Sequence, residues 1–134
     1  MSEIITDKLT GKTSAGDVTI TSEGGSATMQ LQQGLAKAWA NFTNLTTFSV
    51  NGSFNCSSVT DLSVGAGDPQ FTNNMNDANY SATASGEKSS VLHAVMGGVN
   101  NPATDHVSIV TAQGSNNSAL DCEFVFFSLH GDLA

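Results

Sequence analysis

Short stretches of alternating apolar and polar residues run through most of this chain. Residues 17–23 (DVTITSE) alternate valine and isoleucine with threonine, and Phe48, Val50 and Phe54 are predicted to share one face around an Asn51-Gly52 bend. A period of two is typical of a strand with one buried face. Further segments with strand character are 55–74, 78–85, 91–98, 105–114 and 120–131.

The segment 120–131 (LDCEFVFFSLHG) has the strongest strand pattern. In its second half, both the odd and the even positions are apolar, so both faces of the strand would be covered. This predicts the middle of a packed sheet or a contact between subunits. The residues expected on one side are Leu120, Cys122, Phe124 and Phe126, and those expected on the other are Val125, Phe127 and Leu129.

The segment before residue 43 carries two conflicting patterns. Residues 26–33 contain good helix formers behind Ser26, which predicts a short helix, and apolar residues at helical spacing continue to Phe42. A helix of one or two turns is marginal by itself and needs a partner, which copies around a symmetry axis would supply. The composition after Gly34 is typical of strands and turns, so both a helix over 27–39 and a strand at Trp39 stay open.

The spacing of the strand and turn signals indicates the fold class. Seven or eight short strands with turns every 8–12 residues predict an all-β fold, an antiparallel β-sandwich with a short N-terminal arm. The glycines between 24 and 34 suggest an attachment or trimerisation arm over residues 1–33 and a sandwich over 34–134. A chain of 134 residues is long enough for one such domain.

The charge balance excludes two classes of partner. The chain has twelve acidic residues against four lysines and no arginine, for a net charge of −8. Binding to nucleic acid requires clustered cations, and an anionic membrane surface would repel this chain. No apolar run approaches the roughly 20 residues of a membrane span, and the N-terminus lacks a signal pattern. We therefore expect synthesis in a cytoplasm, with no nucleic-acid binding and no membrane insertion.

The sequence contains little that suggests catalysis. Asp105-His106 lies near serines, but a catalytic triad needs convergence in space, and no Gly-x-Ser-x-Gly motif is present. Cys56 and Cys122 have no metal-binding spacing; free thiols are favoured and a disulfide stays open. His93, within an apolar run, would be the candidate for a metal on a symmetry axis. We predict no enzyme activity, no cofactor and no metal.

Four motifs in order resemble a pattern in bacteriophage tail-fibre and other virion-fibre proteins. They are GLAKAWANF (34–42), SFNCSSVTD (53–61), FTNNMNDANY (71–80) and LHGD (129–132), and together they extend over about 34–132. The resemblance implies a small β-rich domain of a homotrimeric fibre, with Lys37, Trp39 and Phe42 on a strand. The chain departs from this pattern in two ways: Ala40 stands where a branched apolar residue is usual, and a long fibre shaft is absent. Because the shaft is absent, a short appendage on the tail, neck or head is expected.

These observations lead to two sets of candidate residues. Core or trimer packing is predicted for Trp39, Phe42, Phe124, Phe126, Phe127 and Leu129. Recognition by polar loops is predicted for Asn73, Asn74, Asn100, Asn101, Asn116 and Asn117. The expected partners are copies of the chain in a trimer, other virion proteins through the arm, and a host glycan or receptor.

Three alternative functions remain at the level of sequence. A head decoration or cement protein fits the same composition, and so does a carbohydrate-binding module used in adhesion. A hydrolase acting on host glycans would need paired carboxylates about 5–10 Å apart in a groove.

Overall fold

The computed structural model describes residues 3–14, 17–89 and 95–134. The chain divides into two compact units, Met1–Leu35 and Ala36–Ala134. The division lies two residues beyond the boundary predicted after residue 33.

The N-terminal unit contains a small hairpin. Strands β1 (Thr19–Thr21) and β2 (Thr28–Gln30) pair antiparallel, and a single 3-10 turn follows at Leu31–Gly34. Gly25 has a φ of 74°, a left-handed conformation that favours glycine, in the turn between the strands. The predicted helix over 26–33 is therefore wrong, because pairing with β1 satisfies this backbone better than one or two helical turns would.

Within the part of the chain that the structure describes, the second unit contains eight strands. They are β3 (Ala38–Thr43), β4 (Ser49–Phe54), β5 (Cys56–Ser63), β6 (Ala66–Phe71), β7 (Ser81–Glu87), β8 (Val95–Asn100), β9 (Ser108–Gln113) and β10 (Phe124–His130). Trp39 and Phe42 lie on β3, and the Lys37 N–H just before it donates to the Leu129 carbonyl oxygen at 2.7 Å. The alternative of a helix over 27–39 is wrong.

The eight strands hydrogen-bond in the order β4-β3-β10-β7-β8-β9-β6-β5, with every neighbour antiparallel. Only Asn55 separates β4 from β5, although these strands are the two edges of the order. The sheet must therefore fold back on itself, with β4-β3-β10-β7 as a first layer and β8-β9-β6-β5 as a second. The midpoint of the order falls between β7 and β8, where Ser85 lies opposite Met96 and Gly86 opposite Val95. The predicted antiparallel β-sandwich is confirmed.

The core lies between the two layers. Phe42 of β3 stacks on Phe48 with ring centroids 5.5 Å apart, and a Cβ on Gly67 of β6 would lie 2.8 Å from Phe42 Cε2. A glycine in β6 thus makes room for the phenylalanine of the opposite layer. The buried apolar residues are Ala38, Ala40, Phe42, Phe71, Met75, Val107, Ile109, Cys122, Val125, Phe127 and Leu129.

A bulge in β4 changes which face its residues occupy. Asn41 pairs with Gly52, but the next residue, Phe42, pairs with Val50, so Asn51 is an extra residue in β4. Phe54 therefore lies opposite Trp39, on the outside of the sandwich. The predicted common face of Phe48, Val50 and Phe54 is wrong, because the bulge reverses the alternation between Val50 and Phe54.

The predicted alternation before β10 is also wrong at two residues, Leu120 and Cys122, because Leu120 packs against the core together with Cys122. Cys122 is buried, whereas Phe124 and Phe126 are exposed. The Cys122 N–H donates to Asn44 Oδ1 at 2.6 Å, and β10 begins only at Phe124, so the parity of the strand does not extend back to Cys122.

Candidate functional site

The outer side of the first layer carries a row of side chains that crosses all four strands. Trp39 lies opposite Phe54 on one side and Ser128 on the other, and Ser128 lies opposite Thr83 of β7. Directly opposed residues of an antiparallel ladder point to the same face, so these four side chains share a surface. In the neighbouring row, Phe126 lies opposite Asn41 and Ser85.

Four aromatic side chains of this surface are exposed to solvent. The exposed fractions are 42% for Trp39, 52% for Phe54, 40% for Phe124 and 39% for Phe126. The Phe124 and Phe126 rings are 14° from parallel, with centroids 6.2 Å apart. We call the outward residues of β4, β3, β10 and β7 the aromatic face. Exposed aromatic patches of this kind mark binding surfaces.

The aromatic face has two dissimilar halves. On the β3–β4 side, a Cβ on Gly52 would be 3.7 Å from Trp39 Cζ3, so the indole lies over a residue without a side chain. On the β7–β10 side there is a shallow depression of about 310 Å³. Its lining residues are Thr83, Ala84, Ser85, Phe126, Phe127 and Ser128.

The aromatic face is nearly free of charge. Among the residues of β3, β4, β7 and β10, Glu87 is the only Asp, Glu or Lys. The chain as a whole has a net charge of −8. The remaining eleven acidic residues are therefore outside these strands.

The predicted packing residues divide between the core and this face. Phe42, Phe127 and Leu129 are buried between the layers, whereas Trp39, Phe124 and Phe126 belong to the aromatic face. Phe54 completes the face, and the sequence analysis missed it as an outward residue. The Asn51-Gly52 pair that marks the bulge is the signal in the sequence that indicates its orientation.

The predicted recognition loops lie at opposite ends of the sandwich. The loop after β6 and the loop after β8 meet, since the Met75 N–H donates to the Thr104 carbonyl oxygen at 2.7 Å. The C-terminus joins them through a 3.0 Å hydrogen bond from the Ala134 N–H to the Asn74 carbonyl oxygen. The strand directions place Ala36 at the same end, which we call the Ala36 end.

Asn73, Asn74, Asn100 and Asn101 therefore belong to the Ala36 end. Asn116 and Asn117 lie between β9 and β10, at the opposite end, which we call the Asn116 end. There Asn117 has a φ of 58°, and its N–H donates to the Gln113 carbonyl oxygen at 2.8 Å.

Asp105 and His106 form a hydrogen-bonded pair at the Ala36 end. His106 Nδ1 is 2.7 Å from Asp105 Oδ1, and His106 Nε2 is 3.3 Å from the Asn101 side-chain nitrogen. The bond to the His106 ring holds the pKa of the Asp105 carboxyl below its ordinary value of 3.8. With Nδ1 donating to the carboxylate, Nε2 accepts from the Asn101 amide, where a triad would place a serine hydroxyl.

The other candidate groups do not assemble into a site. Cys56 and Cys122 are both free thiols, and burial raises the pKa of each. Within the described residues, no three His, Cys, Asp or Glu side chains are grouped as ligands for a metal ion. His93 lies outside the described residues. Among the residues that the structure describes, no helix has the length and apolar character to cross a membrane.

The aromatic face, with its depression and lack of charge, is the main candidate for a functional site on this chain. No family model, no curated protein and no solved structure matches this chain.

Proposed function

We propose that this chain is a bacteriophage virion structural protein, a short fibre or appendage on the tail, neck or head that assembles as a homotrimer through the aromatic face. The resemblance of residues 34–132 to virion-fibre proteins provides the setting. The observation that carries the proposal is an exposed, nearly uncharged aromatic face on a chain with a net charge of −8.

The lack of charge favours a copy of the same chain as the partner. A basic partner would be recognised by carboxylates at the contact, and the face has only Glu87 at its margin. Two copies that met through any other acidic surface would desolvate like charges against one another. The aromatic face allows the copies to meet without that cost.

The N-terminal arm is the proposed attachment to the particle. Its apolar side chains Ile4, Ile5, Ile20 and Met29 are all exposed, by 86%, 85%, 44% and 57%. Such residues gain free energy when another protein covers them, at roughly 25 cal/mol per Å² of apolar surface. We propose that other virion proteins bind the arm and bury these side chains, and that the arm takes no part in host recognition.

The two ends of the sandwich then have different roles. The arm continues into the sandwich at Ala36, so a particle that binds the arm would be tethered to the Ala36 end of the sandwich. The Asn116 end would face outward, and recognition of a host glycan or receptor is assigned to Asn116 and Asn117. In this proposal Asn73, Asn74, Asn100 and Asn101 serve the structure of the Ala36 end.

Sedimentation of the full chain tests the assembly. We expect the mass of a trimer for the native sequence and of a monomer for Trp39→Ser/Phe126→Ser. Leu62→Ser is the matched control, since Leu62 is 53% exposed but lies on β5 of the second layer. A native chain that remains monomeric at high concentration would contradict the proposal.

Labelling of purified particles with an antibody against the chain tests the virion setting. We expect the label at discrete appendages. A uniform label over the head, with particles that lose stability when the protein is missing, would indicate a cement protein instead.

A further inference from the structure

We propose that the aromatic ridge of one copy, Trp39 with Phe54, inserts into the β7–β10 depression of the next copy. This inference rests on the proposed self-association and specifies how the copies meet. The contact is heterologous, so each copy uses its β3–β4 side for one neighbour and its β7–β10 side for the other.

The geometry of a threefold arrangement favours this contact. Three sheets that turn the same face toward a common axis meet along their sides, so the β4 side of one copy approaches the β7 side of the next. Rotation about an axis parallel to the strands keeps each residue at its own height. Phe54 and Thr83 belong to the same row across the first layer, and they would therefore meet between copies.

The two sides are complementary in shape. Trp39 and Phe54 are bulky and exposed, and they lie beside Gly52, which has no side chain to block the approach of a neighbour. The outward residues of β7, by contrast, are the small Ser81, Thr83 and Ser85, followed by Glu87 at the end of the strand. The depression of about 310 Å³ is several times the roughly 30 Å³ that a water molecule occupies, so it has room for an aromatic ring.

The two sides are also complementary in chemistry. The indole N–H of Trp39 is a donor, and the hydroxyls of Thr83 and Ser128, 3.1 Å apart, offer acceptor lone pairs at the depression. Phe126 forms one wall, and aromatic rings favour edge-to-face or offset contacts. The row that contains Phe54 and Thr83 has no carboxylate, and Glu87 lies further along β7, which suits a second copy of this acidic chain.

A cysteine pair tests the contact in the full chain. In a Cys56→Ser background, Phe54→Cys/Thr83→Cys should give covalent trimers on oxidation, because disulfides form only where Cα atoms approach within about 7 Å. Trp39 is retained in the ridge. Phe54→Cys/Glu87→Cys is the matched control, since Glu87 is outward on the same strand but about 13 Å from Thr83 along it. Each single cysteine variant should remain uncrosslinked.

The possible outcomes separate this inference from the proposed function. If the chain sediments as a trimer but gives no covalent product, the ridge-in-depression contact is overturned and the proposed trimer is not. The same holds if the Glu87 control gives as much covalent product as the Thr83 variant. Covalent dimers alone would support the contact and overturn the threefold assembly. A monomer at every concentration would overturn both.

The emission of Trp39, the only tryptophan, provides a second readout. We expect it to shift to shorter wavelength as the protein concentration rises, because the indole leaves water. Thr83→Trp/Trp39→Phe should fill the depression and abolish the trimer, whereas Thr60→Trp on β5 should not. If the chain is a monomer and its Trp39 emission shifts when a neutral oligosaccharide such as maltoheptaose is added, the aromatic face is a glycan-binding surface. That result would overturn the inference.

Discussion

Asn44 is a buried amide that joins three parts of the sandwich. Its Oδ1 accepts from the Cys122 N–H at 2.6 Å, and its side-chain N–H donates to Thr111 Oγ1 at 3.4 Å. Asn44→Ala should lower the free energy of unfolding by about 1–3 kcal/mol, because a buried N–H would lose its acceptor. Urea unfolding measures this change. Asn76→Ala, at an exposed loop position, should alter stability by less than about 0.5 kcal/mol.

The Asp105–His106 pair gives a prediction of pH dependence at the same scale. The pKa of Asp105 is lower in the folded state than its ordinary value of 3.8, so its carboxylate stabilises the fold above that value. This contribution is lost as the pH falls through the folded pKa. The difference in urea midpoint between the native chain and Asp105→Asn should therefore be present at pH 5 and vanish below the folded pKa. A difference that grows on acidification would contradict this assignment.

At the scale of elements, the bulge in β4 accommodates Asn51 as one extra residue between Val50 and Gly52. Deletion of Asn51 should give a regular ladder in which Phe54 stays opposite Trp39, because the pairs on either side of the extra residue are then in register. We therefore expect the deletion to preserve self-association in sedimentation, whereas Phe54→Ser should weaken it. A monomer after the deletion alone would contradict this account of the bulge.

The packing of β3 against β6 depends on the absence of a side chain at Gly67. Gly67→Ala would place a Cβ 2.8 Å from Phe42 Cε2, and we expect a loss of about 1–3 kcal/mol in the free energy of unfolding. In the background of Phe42→Leu the same substitution should cost clearly less, because the ring that it meets is gone. If Gly67→Ala lowers the free energy of unfolding equally in the native and Phe42→Leu backgrounds, the double-mutant cycle would show that residues 42 and 67 are not in packing contact.

At the scale of the whole molecule, assembly should make thermal stability depend on concentration. A complex that forms only between folded copies raises the midpoint Tm as protein is added, by mass action. We expect the Tm of the native chain to rise over a hundredfold range of concentration in scanning calorimetry. The Tm of Trp39→Ser/Phe126→Ser should stay constant over that range, and a constant Tm for both would argue against a trimer.

The positions of the strands could be predicted from the sequence more completely than the face of the sheet on which each side chain lies. The strands of the second unit could be predicted because alternation and turn residues are local signals. The arm was harder, because β1 and β2 stabilise each other only by pairing and neither has a strong pattern by itself. The orientation of Phe54 was missed for a related reason, since a bulge is defined by the ladder it forms with the neighbouring strand.

The sequence by itself determined the all-β class and the acidic character of the chain. These properties follow from composition and from local periodicity. Only the tertiary structure decided which aromatic residues are covered and which are exposed. Phe126 and Phe127 are neighbours of the same type, yet the first is 39% exposed and the second 4%. The reason is physical: exposure depends on which face of β10 the opposite layer covers, and distant strands supply that layer.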